Sequence, residues 1–200
     1  TVVGDLAQRS RVAEPSDWEA VARLIGRRSV EIATLEVNYR TPSEIAEVAT
    51  DVLAAAGHDP ELAPRAVRSA GQRPRHLVTD TIVATTLRTV TALVTTRGGT
   101  VGVLADQEDV AALRRALGDE VPREELDRVR VLEVREAKGL EFDDVVVVAP
   151  DRIMGRSPVG THQLYVAVTR ATRSLTLVAA PGVRFPGGQR CEVVVVPTVA

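Results

Sequence analysis

Short apolar runs alternate with longer stretches of helical periodicity along the chain. This alternation predicts an α/β fold in which a parallel sheet carries helices on both faces. The four valines at 145–148 form a continuous run, as expected for a strand that is buried on both faces. The strands predicted from such runs are 30–35, 76–79, 100–104, 129–134, 144–149, 175–179 and 192–196.

The clearest predicted helix begins at Thr41 and ends at Gly57. Thr41 is a favourable N-cap, Pro42 suits the first helical position, and Glu44 is placed to complete a capping box. The apolar residues that follow recur at helical spacing, which predicts one buried stripe.

Three further segments are predicted to be helices. Segment 107–117 has an apolar stripe, and Gly118 is its stop signal. Segment 80–96 is rich in Thr and Val, which favour strands, but its length and its helical spacing favour a helix. Segment 161–172 is the third, whereas the stretch 60–74, rich in proline and arginine, is predicted to be a surface loop.

Composition narrows the class of protein. The chain has 200 residues, enough for one domain with a substantial core, and a net charge of −2. A nucleic-acid binder that relies on bulk positive charge is therefore excluded, so any such contact must be local. Cys191 is the only cysteine and no apolar run is long enough to span a bilayer, which favours a cytoplasmic protein without membrane contact. The three histidines are scattered, and no metal site is predicted.

Four short segments contain candidate chemistry, and the first is Gly4-Asp5-Leu6-Ala7-Gln8. It follows an apolar start that is predicted to be a strand, and ligands bind at the carboxyl ends of parallel strands. The side chain of Gln8 can hydrogen-bond a phosphate oxygen or an attacking water. The alternative is a solvated turn.

The second segment is Asn38-Tyr39-Arg40-Thr41-Pro42, between a predicted strand and the clearest helix. Tyr39 can stack on a base, and Arg40, beside a helix N-terminus, can reach phosphates. The alternative is a tyrosine packed as a hydrophobic cover and an arginine on the surface.

The third segment is Glu136-Ala137-Lys138-Gly139-Leu140-Glu141-Phe142, in the loop between two predicted strands. Gly139 permits close approach of a ligand to the backbone, and Glu141 can accept hydrogen bonds from a ribose. The alternative is a tight turn with exposed charges.

The fourth segment, 164–171, is an apolar helical pattern that contains Arg170 near its end. Such an arginine can neutralise the charge that develops on a transferring phosphoryl group. The alternative is a helix-terminal arginine favoured by the helix dipole.

Taken together and in this order, the four segments resemble the third to the last motifs of superfamily 1 helicases of the UvrD/Rep type, over nearly the whole chain. The resemblance implies a RecA-like fold and an ATP site. In that family, Gln8 would sense the γ-phosphate and Arg40 would contact it. Tyr39 would stack on adenine, Glu141 would hold the ribose, and Arg170 would be the arginine finger.

The resemblance also implies that the chain is one half of a motor. A P-loop needs a lysine, and the only lysine, Lys138, precedes Gly139-Leu140 instead of following a phosphate-binding loop. We therefore expect residues 1–28 to be a remnant of a first motor domain, and 29–200 to be the second RecA-like domain. ATP with Mg²⁺ would bind only together with the N-terminal motor half, and the chain alone would hydrolyse no ATP.

The partner is predicted from the residues that precede the third segment. Classical UvrD-type helicases have Thr and His there, in contact with single-stranded DNA, whereas this chain has Glu133 and Arg135. A carboxylate that faces a phosphate backbone is unfavourable. Segments 2–8, 38–42 and 134–143 are more similar to the HelD-like branch, whose members use ATP to remodel or release RNA polymerase.

We therefore favour RNA polymerase as the partner. A conventional DNA helicase of repair or recombination, acting on single-stranded DNA, is the alternative. A third hypothesis, from another class, is a protein-binding module in which the former motor residues are structural.

Overall fold

The structure is a computed structural model that describes residues 1–9, 11–15, 17–28 and 31–197. The strands that these residues form are β1 (Val37–Asn38), β2 (Arg65–Ala66), β3 (Arg75–Val78), β4 (Val101–Ala105), β5 (Val129–Glu133), β6 (Phe142–Val148), β7 (Ala171–Ala179) and β8 (Glu192–Val195). The α-helices are α1 (Trp18–Leu24), α2 (Ser43–Ala55), α3 (Ile82–Thr96), α4 (Gln107–Glu120), α5 (Pro150–Gly155) and α6 (Gly160–Val168).

A six-stranded parallel sheet forms the centre of the molecule, in the order β5-β4-β6-β7-β3-β8. Strands β1 and β2 form a separate parallel pair. Since neighbouring strands in the large sheet are parallel, the chain must cross over the sheet between them, and helices provide most of these crossovers. The predicted α/β fold with a parallel sheet is confirmed.

Helices cover both faces of this sheet and form two apolar cores. One core contains Ile45 of α2 and Leu164 of α6, and the other contains Val90 of α3 and Leu113 of α4. The valine run of β6 contributes to both, because side chains alternate along a strand: 145 and 147 lie in the first core, 146 and 148 in the second. The prediction of a strand buried on both faces is therefore confirmed.

The prediction of a first strand at 30–35 is wrong. Residue 30 lies outside the described residues, 31–35 form no strand, and the short β1 follows at Val37–Asn38. β1 pairs with β2 inside the stretch 60–74, which is thus not wholly a loop. The apolar start of the chain is no strand either; a 3₁₀ helix, Leu6–Gln8, follows it.

The start of α2 also differs from the prediction. Pro42, not Thr41, occupies the N-cap position, and no side chain caps this helix. Glu44 completes no capping box. Its carboxylate instead accepts hydrogen bonds from the Ser69 hydroxyl and from the N–H groups of Ala70 and Gly71. Burial raises the pKa of Glu44, but the Ser69 hydroxyl and the backbone donors outweigh it and hold this pKa at about 2. Glu44 therefore organises a distant loop rather than its own helix.

Two helices end at residues other than those predicted. Gly118 does not stop α4, which continues to Glu120. The predicted helix 161–172 is too long: α6 ends at Val168, because Ala171 already pairs with Phe142 at the start of β6. The helix over 80–96 is confirmed.

Candidate functional site

The candidate residues of the third and fourth segments lie side by side at the amino-terminal edge of the sheet. Glu141 and Arg170 directly precede Phe142 and Ala171, which are register partners in β6 and β7. The N–H of Phe142 donates to the carbonyl of Arg170 over 3.0 Å. The site is thus at the amino ends of these strands, not at a carboxyl end as the start of the chain predicted. The spacing of the two residues follows from strand pairing.

Arg170 is buried, with 3% of its surface exposed. Its Nε donates to the carbonyl of Val166 at 3.0 Å, and its Nη1 donates to that of Leu140 at 3.1 Å. Its Nη2 donates to Thr169 Oγ1 at 3.1 Å and to Gln8 Oε1 at 3.3 Å. Arg170 lies in the turn after α6, where its bond to the Val166 carbonyl also fits the alternative of a helix-terminal arginine favoured by the helix dipole.

The charge of Arg170 is only partly compensated. Burial lowers the pKa of its guanidinium, and the nearby Arg40 lowers it further; Tyr165, Glu141 and Asp5 oppose the shift. The guanidinium remains protonated even so, since the ordinary pKa of arginine lies far above neutral pH. Among the described residues no carboxylate forms an ion pair with Arg170, so the position favours an anionic ligand.

Both polar atoms of the Gln8 side-chain amide form hydrogen bonds. Its Nε2 donates to Asp5 Oδ2 at 2.9 Å, while its Oε1 faces Arg170. Asp5 also accepts a hydrogen bond from the N–H of Ala7 at 2.9 Å. Burial raises the pKa of the Tyr165 phenol, and the hydrogen-bonded Asp5 carboxylate raises it further. Gln8 is half-buried in a short 3₁₀ turn, and Asp5 and Tyr165, to which the sequence analysis gave no role, lie beside the candidate residues.

Tyr39 and Arg40 are presented by a defined turn. Asn38 Oδ1 accepts hydrogen bonds from the N–H groups of Arg40 and Thr41, at 3.0 and 3.1 Å. Arg40 Nη2 lies 2.7 Å from Glu141 Oε1, and both side chains are about half exposed. Tyr39 is 76% exposed. The alternative of a tyrosine packed as a cover is therefore wrong.

Arg68 ties this turn to the sheet. Its Nη2 donates to the carbonyl of Arg40 and to that of Thr172 in β7. It lies in the stretch 60–74 among other arginines, where no local signal distinguishes it. Arg68 fixes the turn near Arg170 without itself being predictable as a site residue.

The backbone conformation at position 139 favours glycine. Its φ is +83°, a left-handed conformation in which a side chain is strained. The neighbouring Lys138 lies 3.5 Å from Glu14, so the only lysine of the chain makes an ion pair. The connection from β5 passes through a 3₁₀ helix, Val134–Ala137, and returns to the amino edge of the sheet, where it places Glu141 beside Arg40.

Glu133 and Arg135 lie far from this cluster, since Glu133 ends β5 at the carboxyl edge of the sheet. Arg135 Nε donates to Glu133 Oε1 at 2.5 Å, so the two charges neutralise each other. Nothing in this arrangement favours a nucleic-acid phosphate over water.

Two histidines that are distant in sequence meet in the fold. His58 Nε2 and His162 Nε2 are 3.1 Å apart, a contact that their scattered positions in the sequence do not reveal. Within the described ranges, no group of three or more His, Cys, Asp or Glu side chains is placed to hold a metal ion.

Comparison with protein families adds to this geometry. Residues 128–178 match the UvrD-like helicase C-terminal domain. The matched helicase segment covers about a quarter of the chain and includes Glu141 and Arg170. The coarse resemblance to UvrD-like helicases is confirmed over this segment, and the HelD-like branch is not distinguished by it.

A solved structure shares the fold of this chain. It is the C-terminal domain of a possible DNA helicase from Lactobacillus plantarum WCFS1, with a TM-score of 0.55 and 21% identity, covering 80% of this chain and 99% of that chain. The RecA-like fold is thereby confirmed. No curated protein matches the chain. No helix among the residues described is long and apolar enough to cross a membrane.

Proposed function

We propose that this chain is the second motor half of a superfamily 1 helicase-like ATPase, and that its amino-terminal sheet edge forms one wall of the ATP site. The convergence of Gln8, Arg40, Glu141 and Arg170, from four separate segments, is the observation that carries the proposal. The helicase family match over 128–178 and the RecA-like fold support it.

The chemistry of these side chains fits a nucleoside triphosphate. The buried Arg170 offers positive charge that the described carboxylates do not contact, which suits a phosphate. Tyr39 presents an exposed ring to a base. The ion pair between Arg40 and Glu141 is half exposed and worth about 1 kcal/mol or less, so both side chains can exchange it for a ligand at low cost.

The complementary parts belong to the N-terminal motor half. Lys138 is paired with Glu14 and follows no phosphate-binding loop, so the phosphate cradle must come from that half. No described cluster suits Mg²⁺, so that half and the nucleotide would hold it. The chain alone therefore hydrolyses no ATP.

Each residue then has one task. Bound ATP with Mg²⁺ supplies the phosphoanhydride bond that is hydrolysed. Arg170 stabilises the negative charge that develops on the transferring phosphoryl group, and Gln8 holds a γ-phosphate oxygen or the attacking water. Arg40 binds the γ-phosphate. Tyr39 stacks on the adenine, and Glu141 accepts a hydrogen bond from the ribose.

RNA polymerase is the partner that we favour, in the manner of HelD-like proteins. Glu133 and Arg135 neutralise each other where classical helicases contact single-stranded DNA, which weakens the case for DNA tracking. A conventional UvrD-type DNA helicase is the second candidate. The match to the UvrD-like helicase C-terminal domain and the fold shared with a domain of a possible DNA helicase favour it.

One experiment separates these functions. ATP hydrolysis by the chain joined to its N-terminal motor half is measured alone, with single-stranded DNA and with RNA polymerase. Stimulation by polymerase, with indifference to DNA, is the expected result. Stimulation by DNA alone would establish the conventional helicase, and no hydrolysis under any condition would leave a protein-binding module.

A further inference from the structure

A groove of about 400 Å³ lies on the α3 side of the sheet, away from the candidate ATP site. Helix α3 packs over β4, β6 and β7. Beyond β7 on this side the sheet is less well covered, and Val194 and Val196 are only partly buried. The groove therefore runs between α3 and the β3–β8 side of the sheet.

Positive charge surrounds this groove. We call its charged residues the arginine rim: Arg73, Arg75, Arg88 and Arg97. Arg97 lies 3.8 Å from Asp144, a carboxylate that Arg173 already binds, and Arg88 donates only to Thr85 Oγ1, at 3.2 Å. Within the part of the chain that the structure describes, the other two rim residues make no ion pair. No acidic residue lines the groove.

The floor of the groove is apolar. Leu77, Leu93 and Val196 line it together with α3 hydroxyls, several of which already donate to backbone carbonyls. No aromatic residue lines the groove. Single-stranded nucleic acid is usually held by base stacking on aromatic rings, so the lining favours an occupant with carboxylates and apolar side chains.

Among the residues that the structure describes, the neighbouring strand β8 pairs only with β3 and is an edge strand. The N–H groups of Glu192 and Val196 donate to Pro74 and Val78, on the β3 side. Main-chain groups alternate in direction along a strand, so those of Val193 and Val195 point away from β3. Their side chains are 58% and 74% exposed. An edge of this kind is a template for an added strand.

We infer that β8 and the arginine rim together form a docking site for an extended acidic segment of a partner polypeptide. The segment pairs with the main chain of β8. Its apolar side chains cover the exposed Val193 and Val195, and its carboxylates on the α3 side approach Arg75 on the adjacent β3, beyond the register partner Glu192, and Arg88 on α3. Charge complementarity selects a peptide in which acidic and apolar residues alternate.

The test uses a fluorescent peptide that alternates glutamate with valine, titrated with the whole chain. Binding that weakens with salt is expected, since exposed charges are screened. The double variant Arg75→Glu with Arg88→Glu should lose about tenfold in affinity or more, because two attractions become repulsions. Arg115→Glu is the matched control: this arginine is exposed on α4, outside the groove, and should leave binding unchanged.

A second variant tests the strand pairing. Val195→Pro removes an N–H that points to the open edge, which an edge strand tolerates, and should weaken binding while circular dichroism stays unchanged. The inference is overturned if a lysine–valine peptide or an oligothymidylate binds as well as the acidic peptide. It is equally overturned if the acidic peptide does not bind, or binds the variants as well as the original chain.

Discussion

The side-chain oxygen of Gln8 accepts a hydrogen bond from Arg170 Nη2 at 3.3 Å, across 162 positions of sequence. This distance is longer than the usual 2.9–3.0 Å of such bonds. A phosphate oxygen carries charge and is a stronger acceptor than an amide. The contact therefore keeps two proposed phosphate-binding side chains together until a better acceptor replaces it.

The first prediction concerns the proposed arginine finger. In the chain joined to its N-terminal motor half, Arg170→Ala should lower ATP turnover by about 10³–10⁵-fold, since charge stabilisation by such an arginine has that magnitude. Nucleotide affinity, measured with a fluorescent ATP analogue, should remain largely intact. Arg115→Ala is the control on an exposed arginine of α4. Equal turnover in the Arg170 variant and the original protein would reject the assignment.

The second prediction concerns adenine stacking. Tyr39→Ala should weaken nucleotide binding by about 1–3 kcal/mol, the usual contribution of a stacked ring. Tyr39→Phe keeps the ring and should bind normally. Because Tyr39 is 76% exposed, neither change should alter the free energy of unfolding by more than about 0.5 kcal/mol. An unchanged dissociation constant for the alanine variant would remove Tyr39 from the site.

The third prediction concerns the buried carboxylate of Asp144. It accepts hydrogen bonds from Arg173 and, at 2.6 Å, from the Ser174 hydroxyl, and its side chain is 1% exposed. Asp144→Ala should lower the free energy of unfolding by about 3 kcal/mol, because it leaves these donors without their acceptor. Asp144→Asn, which keeps an oxygen and the volume, should cost less. Urea denaturation compares the two variants with the original chain, and a free energy of unfolding that stays unchanged in Asp144→Ala would reject the stabilising role of this carboxylate.

The fourth prediction concerns pH. The pKa of Glu44 in the folded chain is about 2, below its ordinary value of 4.5. As the pH falls, the Glu44 carboxylate is therefore protonated in the unfolded chain before it is protonated in the folded chain. The stabilisation is complete above about pH 4.5 and is lost as the pH falls towards 2. Glu44→Gln should lack this part of the acid dependence in denaturant titrations. If the free energy of unfolding fell with pH in the same way in both proteins, the loop 69–71 would not be stabilising the Glu44 carboxylate.

The fifth prediction uses a matched pair of glycines. A Cβ at Gly160 would lie 2.1 Å from the carbonyl oxygen of Met154, so Gly160→Ala should destabilise the contact between α5 and α6. A Cβ at Gly118, inside α4, would meet nothing within 4 Å. Gly118→Ala should therefore stabilise the chain by about 0.5–1 kcal/mol. Thermal unfolding measures both, and shifts in the same direction would refute the argument.

Periodicity predicted the fold class well. The valine run of β6 and the stripe of α4 are read directly from the spacing of apolar residues, since buried faces impose that spacing. The end of α6 was not predictable in this way. Its apolar pattern continues to Ala171, and only pairing with Phe142 across the sheet converts that residue into the first of β7.

The candidate site was predicted as four separate segments, and their meeting was not. Gln8, Arg40, Glu141 and Arg170 were named from motifs, whose order along the chain implies a common site only by resemblance. The contact of Gln8 with Arg170 spans 162 positions and that of Arg68 with the carbonyl of Arg40 spans 28, so neither leaves a local signal in the sequence. Tertiary contacts of this kind require the fold.

The register of β6 against β7 has a consequence for how such domains diverge. Glu141 and Arg170 each precede a strand by one residue, so the main-chain ladder sets the separation of their backbones. Helices on either face can lengthen, shift or change composition without altering that separation. An insertion inside either strand start would instead move one side chain to the opposite face. Substitutions can therefore accumulate in the helical layers, whereas insertions and deletions at these two positions are expected to be rare.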